Sequence, residues 1–264
     1  MLSQDEQWLF REKYKGEKTE GFFTDCERLK AGEPLGYVIG YVPFLDCNIY
    51  LDSRPLIPRS ETECWVGKVI NEIRTQSQRL EAESLGRERQ GVAAMSDAKL
   101  RILDLCAGSG AIGVAIAKTI PEAHVTFGEI DKPHYHTINR NIAENTIDPK
   151  KVEVLVSDLF ENISGQFDFI LTNPPYIDPA VDRAEESVKK YEPHLALYGG
   201  HDGMEIISKI ISQAEKHLKP GGQLWIEHEP EQTNAICLLA HEFGFSPTSY
   251  QDQYQTIRYS VLVI

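Results

Sequence analysis

The stretch Arg101-Ile102-Leu103-Asp104-Leu105-Cys106-Ala107-Gly108-Ser109-Gly110 decides the fold prediction. Residues 101–105 form a short apolar run that is typical of a buried strand, and a glycine-rich turn follows at once. Residues 111–118 then predict a helix. This order of strand, turn and helix repeats along the chain, which favours an α/β fold with a doubly wound parallel sheet.

The elements on either side of this stretch complete the prediction. After it, we expect strands at residues 124–127, 152–156, 167–172 and 223–227, helices at residues 135–144 and 206–218, and a β-hairpin at residues 250–264. Before it, we expect helices within residues 1–33 and a short hairpin with arms at residues 37–40 and 48–51. Ser60 and Glu63 have the spacing of a capping box at the start of a helix. Residues 177–203 are a long polar connection, which we expect to cover the site as a flap.

Composition divides the chain into three parts. Residues 1–73 form a small N-terminal region of helices and a hairpin, with too few apolar positions in its first helices for an independent core. Residues 74–99 are polar and charged, which is typical of a linker or a frayed helix. Residues 100–264 carry the alternating pattern and form the predicted catalytic domain.

The net charge of the chain narrows the classes of partner. It is −13 at pH 7, whereas proteins that bind nucleic acid usually carry a basic surplus to neutralise phosphates. We therefore expect a small-molecule or protein substrate and no direct contact with nucleic acid. No apolar run approaches the length of a membrane span, and the N-terminus lacks a secretory signal, so no membrane partner and a cytoplasmic location are predicted.

Cysteines and histidines give no sign of a metal centre. The five cysteines are scattered without a Cys-x-x-Cys, which fits reduced thiols better than a disulfide framework. The eight histidines show no metal-binding spacing. His134 and His136 point in different directions on a helix, so we expect surface histidines and no metal.

The glycine-rich turn predicts a site for an adenosine cofactor. Gly108, Gly110 and Gly113 have the spacing of the dinucleotide fingerprint, and Glu129 stands at a suitable distance to accept both ribose hydroxyls. Asp104 argues against NAD, because a carboxylate at the mouth of the turn would repel a pyrophosphate. A carboxylate there suits a cofactor with an ammonium or sulfonium charge, and S-adenosylmethionine has both.

Two residues after the third predicted strand could extend this cofactor site. Asp158 could accept a hydrogen bond from the adenine amino group, with Leu159 against the adenine ring. A turn or helix cap is nearly as good an interpretation of Asp158 by itself.

The stretch Asn173-Pro174-Pro175-Tyr176 predicts the catalytic turn. Two prolines end the preceding strand, because neither can donate to the sheet. The side-chain carbonyl of Asn173 and the backbone carbonyl of Pro174 are two acceptors that suit an NH2 group. Holding both N–H bonds of an amide or aromatic amine can turn its delocalised lone pair towards a sulfonium methyl group. Tyr176 would pack against the planar group.

Taken together, these motifs resemble those of the release-factor glutamine methyltransferases, the HemK/PrmC family. The likeness runs from about residue 32 to the C-terminus. It is carried by an ordered set of motifs: Glu33-Pro34-Leu35-Gly36-Tyr37, Leu56-Ile57-Pro58-Arg59-Ser60-Glu61-Thr62-Glu63, Asp104 to Gly110, Ser157-Asp158-Leu159-Phe160, Asn173-Pro174-Pro175-Tyr176, Gly199-Gly200-x-Asp202-Gly203, and Glu227-His228.

The resemblance implies a Rossmann-like, seven-stranded sheet that uses S-adenosylmethionine, behind a small N-terminal substrate-docking region. It implies methylation of a glutamine side-chain nitrogen (N5), usually in the Gly-Gly-Gln loop of class I peptide chain release factors, by an enzyme that we expect to be a monomer. By this likeness the cofactor contacts are Cys106, Ala107, Gly108, Ser109, Gly110, Glu129, Leu159 and Asn173. Residues 173–176 hold the glutamine.

Several positions depart from the family pattern. Cys106 stands where the family turn usually begins with glycine, and we expect this to be tolerated through a negative φ at Cys106. Ser60 replaces a usual proline, and Glu229 a usual glycine. The N-terminal helical region is shorter than in most members, so these departures bear chiefly on the choice of protein substrate.

Four other functions are compatible with parts of the sequence. An adenine-N6 nucleic-acid methyltransferase also uses an Asn-Pro-Pro-Tyr turn, although the acidic balance counts against it. A glutamine methyltransferase of a ribosomal protein would use the same chemistry. A cofactor-binding scaffold without activity is disfavoured by the complete motif set, and an NAD-dependent dehydrogenase by Asp104.

Overall fold

A seven-stranded sheet lies at the centre of the computed structural model, which describes residues 2–89 and 100–264. Its strands are β3 (Arg101–Leu105), β4 (His124–Glu129), β5 (Val152–Val156), β6 (Phe167–Thr172), β7 (Leu218–Glu227), β8 (Ser246–Gln251) and β9 (Ile257–Val263). Their order across the sheet is β5-β4-β3-β6-β7-β9-β8. Strands β3 to β7 are parallel, and β9 is antiparallel to both β7 and β8. The predicted α/β fold and the terminal hairpin are confirmed.

Helices cover both faces of this sheet. They are α4 (Ser60–Arg89), α5 (Ala111–Thr119), α6 (Lys132–Glu144), α7 (Glu186–Tyr191), α8 (Glu205–His217) and α9 (Thr233–Glu242). Successive side chains of a strand point to opposite faces. In β3, Ile102 therefore joins one buried cluster, whereas Leu103 and Leu105 join the other. This is why β3 directs apolar side chains to both faces of the sheet rather than to one face only.

The N-terminal region is helical as predicted, and the second arm of the hairpin lies within one residue of its predicted place, but the first arm lies further along the chain. Helices α1 (Gln4–Glu12), α2 (Glu20–Lys30) and α3 (Leu35–Ile39) precede strands β1 (Tyr41–Phe44) and β2 (Cys47–Tyr50). The prediction of a strand at residues 37–40 is wrong. Pro34 occupies the N-cap of α3, and Gly40 ends that helix with a φ of 101°. A short apolar run cannot distinguish one helical turn from a strand.

Helix α4 connects the N-terminal region to the sheet. The capping-box prediction is wrong, because Ser60 is already helical and a Glu63 carboxylate oxygen accepts a hydrogen bond from the Leu45 backbone at 2.6 Å. Trp65 belongs to the same buried cluster as Ile102, so one core runs from α4 to the sheet. The helix continues to residue 89 through part of the predicted linker, whose residues 90–99 lie outside the described part of the chain.

The residues that the structure describes contain neither a membrane-spanning helix nor a metal-binding cluster. None of their helices is long and apolar enough to cross a membrane. No group of three or more His, Cys, Asp or Glu side chains among them is arranged to hold a metal ion.

Candidate active site

The carboxyl ends of the parallel strands bring the predicted motifs to one edge of the sheet. Each strand ends on or is followed by a polar residue: Cys106 after β3, Glu129 in β4, Asp158 after β5, Asn173 after β6 and Glu227 in β7. The chain crosses from β4 and β5 on one side of β3 to β6 and β7 on the other. Ligands of open α/β sheets bind in the crevice at such a switch point.

An open cavity with a volume of about 160 Å³ lies at this edge. Eight of the predicted cofactor residues line it: Cys106, Ala107, Gly108, Ser109, Glu129, Asp158, Leu159 and Asn173. The structure therefore brings together residues that are up to 67 positions apart in the chain. We call this space the cofactor cavity.

The turn after β3 has an unusual backbone. Cys106, Gly108 and Gly110 have φ values of 59°, 55° and 78°. The expectation of a negative φ at Cys106 is therefore wrong. A non-glycine residue in this left-handed region costs about 1–2 kcal/mol, which the hydrogen bond from the Ala107 backbone to the Gly128 carbonyl (3.1 Å) helps to offset. Burial raises the pKa of the Cys106 thiol, which disfavours the thiolate.

Glu129 ties the end of β4 to the glycine-rich turn. One carboxylate oxygen accepts a hydrogen bond from the Gly108 backbone at 2.7 Å, and the other accepts from the Asp131 backbone at 2.8 Å. Each oxygen has a further lone pair. Since Glu129 is nearly buried and lines the cofactor cavity, it can still accept hydrogen bonds from a ligand.

Asp104 and Gly110 are outside the lining of the cofactor cavity. Asp104 is fully buried, and its Oδ2 accepts a hydrogen bond from the Gly113 backbone at 2.8 Å. Its Oδ1 is buried without a hydrogen-bond partner among the described residues, and burial raises the pKa of this carboxyl well above its usual range. A Cβ on Gly110 would approach Ile138 to 3.1 Å, so this glycine permits close packing. Contact of either residue with a cofactor stays a prediction.

Asn173 stands where the cofactor cavity meets an adjoining one. This second cavity has a volume of about 180 Å³ and is lined by Pro174 and Tyr176, with Asn173 shared between the two. Pro175 faces the cofactor cavity instead. The four residues of the predicted catalytic turn thus line two spaces. One is the cofactor cavity, and we call the other the second cavity.

The sequence-based site prediction omitted two polar residues beside Asn173. The Asn173 amide nitrogen donates to the Thr62 hydroxyl at 3.2 Å, and Thr62 donates to the Glu227 carboxylate at 2.7 Å. Glu227 is 1% exposed, and burial raises its pKa. Both lie in motifs quoted above, and the position of Glu227 at a strand end was the signal that could have identified it.

The long connection after Tyr176 borders both cavities. Leu195 and Tyr198 line the cofactor cavity, and Leu197 lines the second. The Ile177 backbone donates to the Leu197 carbonyl at 2.9 Å, which holds the connection against the catalytic turn. These contacts agree with the predicted flap.

His134 is a correction to the histidine prediction. It is 4% exposed rather than at the surface, and it lines the cofactor cavity. Its Nδ1 lies 2.7 Å from the Ser53 hydroxyl. The contact joins α6 to the segment after β2, so a tertiary partner determines its burial.

Comparisons with known proteins agree with this architecture. The family model described as "Methyltransferase small domain" matches residues 92–199. A release factor glutamine methyltransferase of Francisella tularensis is 35% identical over 83% of this chain and 70% of its own length. One of Thermodesulfovibrio yellowstonii is 38% identical over 83% of this chain and 72% of its own. The solved catalytic domain of hMettl16 shares the fold at 14% identity, with a TM-score of 0.57 over 82% of this chain and 75% of its own.

The fold, the cavity and these matches define an α/β methyltransferase whose methyl donor is S-adenosylmethionine. Within that class, the chain belongs to the release factor glutamine methyltransferase family.

Proposed function

We propose that this protein transfers the methyl group of S-adenosylmethionine to the side-chain nitrogen (N5) of a glutamine in a class I peptide chain release factor. The observation that carries the proposal is the position of Asn173, whose side chain borders both cavities. A methyl donor in one space and an amide in the other would meet at this residue. The names of the relatives support a release factor as the substrate.

The cofactor cavity has the groups that S-adenosylmethionine requires. Glu129 can accept from the ribose hydroxyls, and Asp158 and Leu159 can meet the adenine edge and ring. When bound there, the cofactor supplies the electrophilic methyl group.

The catalytic turn positions the nucleophile. An amide nitrogen is weakly nucleophilic because its lone pair is delocalised into the carbonyl. The Asn173 side-chain oxygen and the Pro174 carbonyl can accept its two N–H bonds. This grip aims the lone pair at the neighbouring cavity and stabilises the positive charge that develops on the nitrogen. No base is required before transfer, since the proton can leave afterwards.

Tyr176 forms a wall of the second cavity, where a planar amide would lie. Its hydroxyl donates to the Glu227 carboxylate at 3.1 Å, and burial raises the pKa of this phenol well above its usual range. The neutral ring is therefore fixed in place as a packing surface. The proposed binding of the substrate amide does not require an ionised Tyr176.

Mass spectrometry tests the proposal. Purified protein and S-adenosylmethionine are incubated with a class I release factor, and with a control release factor whose Gly-Gly-Gln glutamine is replaced by alanine. One added methyl group on the glutamine, absent from the control, is the expected result. Competition with a ribosomal protein and with duplex nucleic acid tests the alternatives. Transfer to either of these, with none to the release factor, would contradict the proposal.

Asn173→Ala provides the mutational test. Loss of one aligned polar contact of this kind costs about 10²–10³ in kcat. Affinity for S-adenosylmethionine should change little, because the other lining residues remain. Asn139→Ala, at an exposed position of α6, is the matched control and should keep full activity. An active Asn173→Ala enzyme would show that another group orients the amide.

A further inference from the structure

A chain of hydrogen bonds between buried side chains links α4 to the catalytic turn. The Thr62 hydroxyl and the Trp65 indole nitrogen each donate to Glu227 Oε2 at 2.7 Å, and the Tyr176 hydroxyl donates to Oε1 at 3.1 Å. The Asn173 amide nitrogen is 3.2 Å from the Thr62 hydroxyl oxygen. Thr62, Trp65 and Glu227 are each at most 3% exposed, so water does not compete for these bonds.

The direction of each bond in this chain follows from the chemistry of its members. An indole nitrogen can only donate, so Glu227 Oε2 acts as an acceptor. The single proton of the Thr62 hydroxyl is directed to the same carboxylate oxygen. Thr62 can therefore offer only a lone pair to Asn173, and only the amide nitrogen of Asn173 can use it.

This direction decides which end of the Asn173 carboxamide is left for a ligand. The nitrogen and oxygen diverge from one carbon, so a nitrogen held by Thr62 leaves the oxygen free of that contact. The opposite rotamer would place the oxygen against a lone pair of Thr62. It would also present an NH2 group to the NH2 group of a substrate, where neither can accept.

We propose that Thr62 is a positioning residue, whose hydroxyl, oriented by Glu227, holds the Asn173 carboxamide with its oxygen available to the substrate amide. This inference rests on the proposed function. Thr62 acts through Asn173, and α4 thereby contributes to the geometry of a turn 111 residues further along the chain.

Thr62→Val tests the contact with little change of shape. Valine fills the same volume but offers no lone pair. The carboxamide then loses its preference between the two rotamers, and we expect kcat to fall roughly 5- to 100-fold. The KM for the release factor and the Kd for S-adenosylmethionine should change less than kcat. Thr62→Ser keeps the hydroxyl and should recover most of the activity.

Thr126→Val is the matched control. Thr126 is a buried threonine of β4 that does not line either cavity, so the same chemical change should leave kcat near the wild-type value. A wild-type kcat in Thr62→Val would overturn the proposal. So would a Thr62→Ser enzyme as slow as Thr62→Val, because the hydroxyl would then not be the relevant group.

A measurement on the wild-type protein separates this inference from the proposed function. The side-chain NH2 protons of Asn173, whose resonances are assigned by their loss in Asn173→Ala, should exchange with solvent more slowly than those of Asn234, which is exposed in α9. Equal exchange rates would overturn the Thr62 contact even if the Thr62 variants failed to fold. Absence of methyl transfer by the wild type would refute the proposed function, whereas the exchange measurement requires no substrate.

Discussion

Gly199→Ala should displace the catalytic turn by steric overlap alone, because the added methyl group brings no polar contact. Gly199 is buried beneath that turn, and its backbone donates to the Ile177 carbonyl at 3.0 Å. A Cβ at this position would lie 2.5 Å from the Pro175 carbonyl oxygen and 2.9 Å from the Tyr176 Cα. Both are backbone atoms, so no side-chain rotation can relieve the overlap.

The size of the effect follows from these distances. An ordinary carbon–oxygen contact is about 3.3–3.6 Å, so the Pro175 carbonyl must retreat by roughly 1 Å. Overpacking of this kind costs about 1–3 kcal/mol, and the rigid prolines favour the upper end. A misplacement of about 1 Å can lower a rate by about 10²-fold. We therefore expect kcat to fall by about that factor and the Tm by about 6–12 °C, taking 2–4 °C per kcal/mol.

Thermal unfolding and methyl-transfer kinetics check both values, with Gly67→Ala as the control. Gly67 lies in α4, where an added Cβ meets nothing within 4 Å. The same change should there stabilise the protein by about 0.5–1 kcal/mol, because alanine loses less conformational freedom on folding. A Gly199→Ala enzyme with unchanged Tm and kcat would refute the argument, since it would mean that the turn adapts at no cost.

Two further predictions concern stability. The Arg28 guanidinium, aided by Arg54, lowers the pKa of Glu33 from 4.5 to about 2, so this carboxylate contributes stability above pH 4.5 that is lost as the pH falls towards 2. In urea unfolding, Glu33→Gln should therefore lose about 2 kcal/mol of unfolding free energy at pH 7 and approach the wild type at pH 2. A difference at pH 2 as large as that at pH 7 would contradict this prediction. Cys106→Gly removes the side chain from a residue with a φ of 59° and should exceed Cys106→Ala in unfolding free energy by up to about 1 kcal/mol. Calorimetry of the two variants measures this difference. A glycine variant less stable than the alanine variant would show that the backbone at this position is not strained.

The central sheet was predictable because its signals are local. Residues 101–105, 152–156 and 167–172 are predicted and observed as strands with the same bounds. Each is a short apolar run that ends in a turn, so the pattern lies within a few neighbouring residues. The meeting of the glycine-rich turn with Glu129 and Asn173 followed as well, because parallel strands share one carboxyl edge.

The errors arise where distant residues decide a local feature. Glu63 has capping-box spacing, yet its carboxylate binds the backbone of Leu45. His134 is buried because Ser53 meets it from another segment. Cys106 takes a positive φ because the turn that closes on β4 requires one there. Spacing along the chain contains no information about such partners.

The bond between Thr62 and Glu227 has a consequence for protein engineering. The segment recognised by the methyltransferase family model, residues 92–199, includes Asn173 but neither of these two residues. A chimaera that exchanged only this segment would inherit the Asn173 carboxamide without Thr62 and Glu227, the groups that we propose orient it. Segments exchanged between family members should therefore begin before α4 and end after β7. The segment that the family model recognises is shorter than the segment that holds Thr62, Asn173 and Glu227 together.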